Sequence, residues 1–185
     1  MGRFARRCSV HIGRRNCAAG SGRDYRLAAM RSRLAIQDDF VARFHFGERH
    51  GPASDAQLDA IEVELNTKLP KAYRDFMTRH GSVYTPDVLH QIVARNFDHP
   101  DTQNILDPAE VIDNTKAYWS GGMPEDVIGV GSDCMGNMIG FRRQTTASDD
   151  APVVFFDHDF VELYDVASSF DEFLTWYLEH LTGGS

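Results

Sequence analysis

The sequence predicts an α+β domain with a central, largely antiparallel sheet of about four to six strands, flanked by N-terminal helices and a C-terminal helix. Three observations carry that expectation. Apolar residues recur at helical spacing up to about residue 120. From Val127 the pattern changes to short apolar runs separated by turn residues. A helix-start signal at Ser169 then opens one more apolar stripe.

The elements follow in order. Leu34, Ile36, Phe40, Val41 and Phe44 form the stripe of a first helix that ends near Gly47 or Gly51. Ser54 with Gln57 has capping-box spacing, in which each side chain satisfies a backbone N–H that the helix leaves unpaired. Leu58, Ile61 and Leu65 are the buried stripe that follows. Pro70 suits a first helical position, because its missing N–H is not needed there. Tyr73, Phe76 and Met77 make the next apolar face, Arg79 and His80 meet the negative end of the helix dipole, and Gly81 is a left-handed stop. Val88, Leu89, Ile92, Val93 and Phe97 favour a helix over a strand, and Asp98 to Gln103 reads as a polar loop. Asp107-Pro108-Ala109-Glu110 starts a helix through Val111, Ile112, Thr115 and Trp119, which Gly121-Gly122 stops. Strands are expected at 127–131, 137–143, 152–157 and 160–166, with Thr145 to Asp150 as a hairpin loop. Ser169 and Glu172 again have capping-box spacing, ahead of Phe170, Phe173, Leu174, Tyr177, Leu178 and Leu181.

Charge divides the chain. Residues 1–34 hold nine Arg and one acid, a net +8, against −8 for the whole chain. The remaining 151 residues therefore carry −16. The first segment has no apolar period and reads as a disordered tail. An Arg-rich, acid-poor lead fits a transit peptide, a nucleic-acid-binding arm, or a reading frame extended upstream of Met30. Residues 35–185 read as a single domain. Its acidity repels nucleic acid and favours basic partners, although acidity also serves solubility alone. No apolar run approaches the roughly 20 residues that cross a bilayer. Cys8, Cys17 and Cys134 make no Cys-x-x-Cys spacing and imply no disulfide framework, so a reducing cytoplasm is the expected setting.

The chemistry-bearing candidates are thin. Alternation along a strand would send Asp157 and Asp159 to one face and His158 to the other, so only a turn could gather them. With no second metal-spaced group, a polar hairpin turn is the better reading and no metal is expected. Gly131 to Asn137 lacks the Lys of a phosphate loop and precedes a strand. It reads as a turn with positive φ at Gly136 or Asn137 and with Asp133 bonding backbone N–H groups. Cys134 with His158 could pair as nucleophile and base, but nothing marks an activated thiolate. No catalytic residue and no cofactor are assigned.

Taken together, several segments resemble the SUKH superfamily. They are Leu69-Pro70 with Tyr73, Phe76 and Gly81; the turn Gly131-Ser132-Asp133 with Gly136-Asn137; Val153 to Phe156 with Asp157-His158-Asp159; and Ser168 to Phe173. The resemblance covers roughly residues 50–182, and it is the ordered set, more than any single motif, that is specific. Cys134-Met135 stands where glycines are often found, His80-Gly81-Ser82 replaces an Asn-Gly pair, and Phe156 replaces a common Trp. The superfamily includes yeast cell-wall assembly regulators and many bacterial immunity proteins. The resemblance implies an α+β fold, no enzymatic activity, and binding of a cognate toxin, often a nuclease or deaminase with a basic active site. On this reading the partner contacts are Asp133, Asp157, Asp159 and Glu162, on an acidic surface near the sheet loops. A regulatory scaffold is the alternative, and a hydrolase using Cys134 or His158 a weaker one.

Overall fold

The computed structural model describes residues 22–47, 51–86 and 88–182, with side chains from Arg33 onward. Six helices accompany one six-stranded sheet, and every neighbouring pair of strands is antiparallel. The helices are α1 (Gly22–Phe44), α2 (Asp55–Glu64), α3 (Lys71–His80), α4 (Val88–Arg95), α5 (Pro108–Ser120) and α6 (Phe170–His180). The strands are β1 (Val83–Tyr84), β2 (Asn104–Ile105), β3 (Val127–Ser132), β4 (Met138–Arg142), β5 (Val153–Asp157) and β6 (Glu162–Ala167), and they lie side by side in chain order. The fold is the α+β arrangement expected.

Local chemistry sets the element boundaries. At α2 both limbs of the capping box form: the Gln57 N–H donates to Ser54 Oγ at 3.3 Å, and the Ser54 N–H donates to Gln57 Oε1 at 2.9 Å. Asp107 and Glu110 form the same box at α5. Pro70 is the residue before α3 and not its first, and Gly81 ends the helix at φ 71°, a conformation that side chains with a Cβ avoid. At α6, Ser169 accepts from the Glu172 N–H, but the Glu172 carboxylate turns back to Ser168 instead of Ser169. The carboxylate of Asp150, from the β4–β5 loop, completes this cap by accepting from the N–H groups of Phe170 and Asp171.

The sheet divides the core into two layers. Met138 and Phe156 pair on one face, and Phe141 and Val153 on the other. α5 covers the first face, with Tyr118 edge-on to Phe156 and Thr115 bonded to Gly129. α3 and α6 cover the second, where Tyr73, Phe141 and Phe170 interlock with ring centroids 5.5–5.8 Å apart. α1 closes the outside of that layer through Phe40 on Tyr177 and Arg33 on Asp171 at 2.6 Å. Phe76, Leu58, Ile61 and Leu174 are fully buried, and each is worth roughly 1.5–3 kcal/mol in apolar transfer.

α1 begins at Gly22, within the Arg-rich segment and upstream of the Leu34 stripe. Leu, Ala, Met and Arg are good helix formers, and they continue the helix where no apolar period marks it. Residues 1–21, with Cys8 and Cys17, lie outside the described residues. On α4, Val88 and Ile92 are buried as expected, but Val93 is exposed and Gln91 takes the inward position, bonding Thr182. β1 and β2 have two residues each, too short to leave an alternating pattern in the sequence. None of the described helices is long and apolar enough to cross a membrane.

Candidate functional site

Three connections converge at one end of the sheet: the loop before β2, the β3–β4 turn and the β5–β6 turn. The β3–β4 turn is built around Asp133. Its side chain is buried, with Oδ1 accepting from the N–H groups of Met135 (2.9 Å) and Asn137 (2.7 Å) and Oδ2 accepting from Asn137 Nδ2 (2.8 Å). Gly136 takes the positive φ of 86° that the turn requires. Asn137 then ties the two turns together, its Oδ1 accepting from the His158 N–H at 3.0 Å and facing His158 Nδ1 at 2.7 Å. The loop before β2 joins through Asp101, whose carboxylate accepts from the Cys134 N–H at 3.1 Å. The Tyr118 hydroxyl of α5 donates to the Gly136 carbonyl and braces the cluster from behind.

In the β5–β6 turn, Asp157 Oδ1 accepts from the N–H groups of Asp159 (3.0 Å) and Phe160 (3.1 Å). Asp159 Oδ1 lies 3.4 Å from His158 Nε2. Asp159 and Glu162 are exposed, Asp157 is half-buried, and the Glu162 carboxylate accepts from the Tyr164 hydroxyl. The turn also exposes Phe160 at 75% and Val161 at 56%, and Met135 stands out of the neighbouring turn at 67%. Among the four residues selected from sequence, Asp157, Asp159 and Glu162 share the β5–β6 turn, while Asp133 lies inward in the adjacent one. Sequence reading missed Asp101, Asn137 and the exposed Phe160. Asn137 occupies the β3–β4 turn, but its side-chain reach across to β5–β6 is a tertiary property with no local signal.

The electrostatics of this end are one-sided. Segments 96–104, 132–138 and 157–162 together carry Asp98, Asp101, Asp133, Asp157, Asp159 and Glu162, and contain no Lys or Arg. Burial, with the Asp133 charge nearby, holds the Asp101 carboxyl above its ordinary range, although the hydrogen bond from Cys134 N–H opposes the shift. The Cys134 thiol is pushed up by partial burial and by the charges of Asp101 and Asp133, the opposite of what a nucleophilic thiolate needs. Among the described residues, no group of three His, Cys, Asp or Glu side chains is gathered closely enough to hold a metal ion.

The other end of the sheet differs. There the β4–β5 loop packs on the corner between α2 and α3, with the Lys68 N–H donating to the Gln144 carbonyl and the Lys71 N–H to that of Ser148. Lys68, Lys71, Arg74 and Arg142 each pair with carboxylates, among them Glu62, Asp75, Asp59 and Asp126. Arg143 lies 5.1 Å over the Trp119 ring.

No curated protein matches the chain. A family model does: that of the SMI1 / KNR4 family (SUKH-1), over residues 52–176 of the 185. The match runs from the residues before α2 into α6 and so spans the whole sheet and both turns of the acidic end. The chain belongs to the SMI1 / KNR4 family (SUKH-1).

Proposed function

We propose that this chain is a cytoplasmic, non-enzymatic immunity protein that neutralises a cognate toxin of nuclease or deaminase type by covering its basic active site. The observation that carries the reading is the charge of the turn end, where six acidic residues in three converging segments meet no Lys or Arg. A surface of one sign steers an oppositely charged partner and speeds encounter, by about 10- to 1000-fold at low ionic strength. Carboxylates held on tight turns can also stand where substrate phosphates would lie in the partner. Asp157, Asp159 and Glu162 are the contacts of this surface. Asp133 contributes by shaping the turn, since its oxygens already accept three hydrogen bonds.

The non-enzymatic reading is supported by the raised Cys134 thiol and by His158, whose Nδ1 is already engaged by Asn137. The test is a pull-down at low salt against toxins encoded beside the gene, together with protection of cells expressing them. Capture and protection support the reading. No toxin partner and no protection would defeat it, and a housekeeping partner captured instead would favour a regulatory scaffold.

A further inference from the structure

Beside the acidic turns, a cleft of about 470 Å³ opens between the loop before β2 and strands β5 and β6. Its walls are Phe97, His99, Phe155 and Tyr164, with Asp98 at its edge; Asp165 also borders it, but as the register partner of Val154 it turns its carboxylate to the opposite face of the sheet from Tyr164. Phe155 and Tyr164 are register partners and so stand side by side on one face of the sheet. His99 is fixed flat against Trp176, with ring centroids 3.6 Å apart and planes 3° apart, and Trp176 is also stacked with His180 at 4.8 Å. Phe97 meets Trp176 edge-on at 5.4 Å. The cleft therefore has a preformed aromatic wall.

Its polarity is equally defined. No Lys or Arg lines it among the described residues. His99, its one basic group, has its pKa lowered to about 4 by burial, so the ring is neutral at pH 7 and repels no cation. Asp165 faces Arg142, 3.8 Å away, on the far face of the sheet, whereas Asp98 is exposed at the edge of the cleft. The Tyr164 hydroxyl donates to Glu162, so the rim of the cleft is continuous with the β5–β6 turn. An anion would meet the Asp98 carboxylate here, and an apolar side chain would cover it without a partner. A guanidinium satisfies both features, because its face stacks on aromatic rings while its edge donates to carboxylates. The volume falls within the ordinary range of about 300–1,000 Å³ for binding pockets and leaves room for the aliphatic stem.

We propose that this cleft receives an arginine side chain of the basic protein partner that docks on the acidic turns. The proposal rests on the functional reading only for the source of that arginine. The cleft's own preference is measurable without the partner.

The experiment is an NMR titration of the ¹⁵N-labelled full chain with N-acetyl-arginine N-methylamide. N-acetyl-citrulline N-methylamide serves as the neutral isostere, and spermidine as a free cation. The arginine probe is expected to shift the amide resonances of residues 97–99 and 164–166, with citrulline at least about tenfold weaker. Tyr164→Ala should weaken the arginine probe by about tenfold, and Tyr164→Phe, which keeps the ring, should retain it. Equal binding of arginine and citrulline, or shifts confined to other surfaces, overturns the proposal. Tighter binding of spermidine than of the arginine probe also overturns it, by assigning the cleft to a small metabolite. If the arginine probe binds here as expected but no basic partner is captured, the functional reading fails and the cleft's arginine preference stands. If a toxin is captured but the probe does not bind, the reverse holds.

Discussion

The two ends of the sheet are built from similar materials and do opposite things with them. At the end formed by the β4–β5 loop and the α2–α3 corner, acids and bases alternate and answer one another: Glu62 accepts from Lys68, Arg74 and the Leu69 N–H. At the turn end the carboxylates are turned inward onto backbone N–H groups or outward to solvent, and Lys and Arg are absent from all three segments. Paired surface charges contribute little beyond local order, roughly 0–1 kcal/mol each. Unanswered charges of one sign cost self-repulsion, which a protein bears where a partner supplies the counter-charge. On the proposed reading, the difference separates a structural end from a binding end.

The largest expected effect is at the hinge of that comparison. Asp133→Ala removes the acceptor of three bonds in a buried turn and should cost about 3 kcal/mol, read from urea unfolding. Asp133→Asn keeps one acceptor oxygen and should cost less. A loss under about 1 kcal/mol for Asp133→Ala would show that the turn is held by other means.

Next comes the charge itself. The triple change Asp157→Asn, Asp159→Asn and Glu162→Gln keeps hydrogen-bonding side chains while removing three charges. It should slow association with the proposed basic partner by about 10- to 100-fold at low salt and flatten the salt dependence of the rate, measured by stopped flow. Lys68→Gln at the opposite end should leave both unchanged. An equal effect at the two ends would erase the distinction between them.

Acid should act on the ends with opposite sign. Burial raises the Glu62 pKa, but the hydrogen bonds and charges of Lys68 and Arg74 and the Leu69 N–H outweigh it, so the net shift is downward. Its stabilisation is present above the ordinary carboxylate range and is lost as pH falls through its lowered pKa. Asp101 is shifted upward, chiefly by burial, so its contribution is greatest when it is protonated and is lost as pH rises through its raised pKa. Glu62→Gln should therefore destabilise at pH 7, a difference that fades as pH falls through the lowered Glu62 pKa. Asp101→Asn should stabilise at pH 7, and that gain should fade as pH falls through the raised Asp101 pKa. Thermal unfolding of both variants across pH gives the signs directly, and the same sign for both would refute the contrast.

Most of the structural end was legible from sequence, because its signals are local. Ser54 with Gln57, Asp107 with Glu110, Gly81 and the apolar stripes of α2, α3 and α6 act over three or four residues, and they form as read. The turn end was legible only in part. Asp133 and Gly136 mark their own turn, so the β3–β4 connection could be anticipated. The bridge from Asn137 to His158 spans 21 residues and that from Asp101 to Cys134 spans 33, and no spacing rule reaches so far. β1 and β2 escaped for another reason. A two-residue strand exists only because Asn104 and Ile105 find Ser132 and Gly131 beside them, a tertiary cause with no sequence period.

The smallest expected effect tests whether the turn end stores strain. Among the described residues, the non-glycine positions with positive φ are Asn66, Asn96 and Val161. Asn tolerates this region because its side chain can bond locally, and Asn66 sits at the structural end without penalty. Val161, β-branched and at φ 57°, does not share that tolerance, and it is 56% exposed beside the exposed Phe160. Gly122 lies beside it, so near that a Cβ there would stand 3.2 Å from Val161 Cγ1. Val161→Asn should therefore stabilise the chain by up to about 1 kcal/mol, while weakening partner binding if the strained turn holds Phe160 outward as an apolar contact. A stabilised variant with undiminished binding would separate the strain from recognition. A destabilised one would show that Val161 packs at the turn more tightly than its exposure indicates.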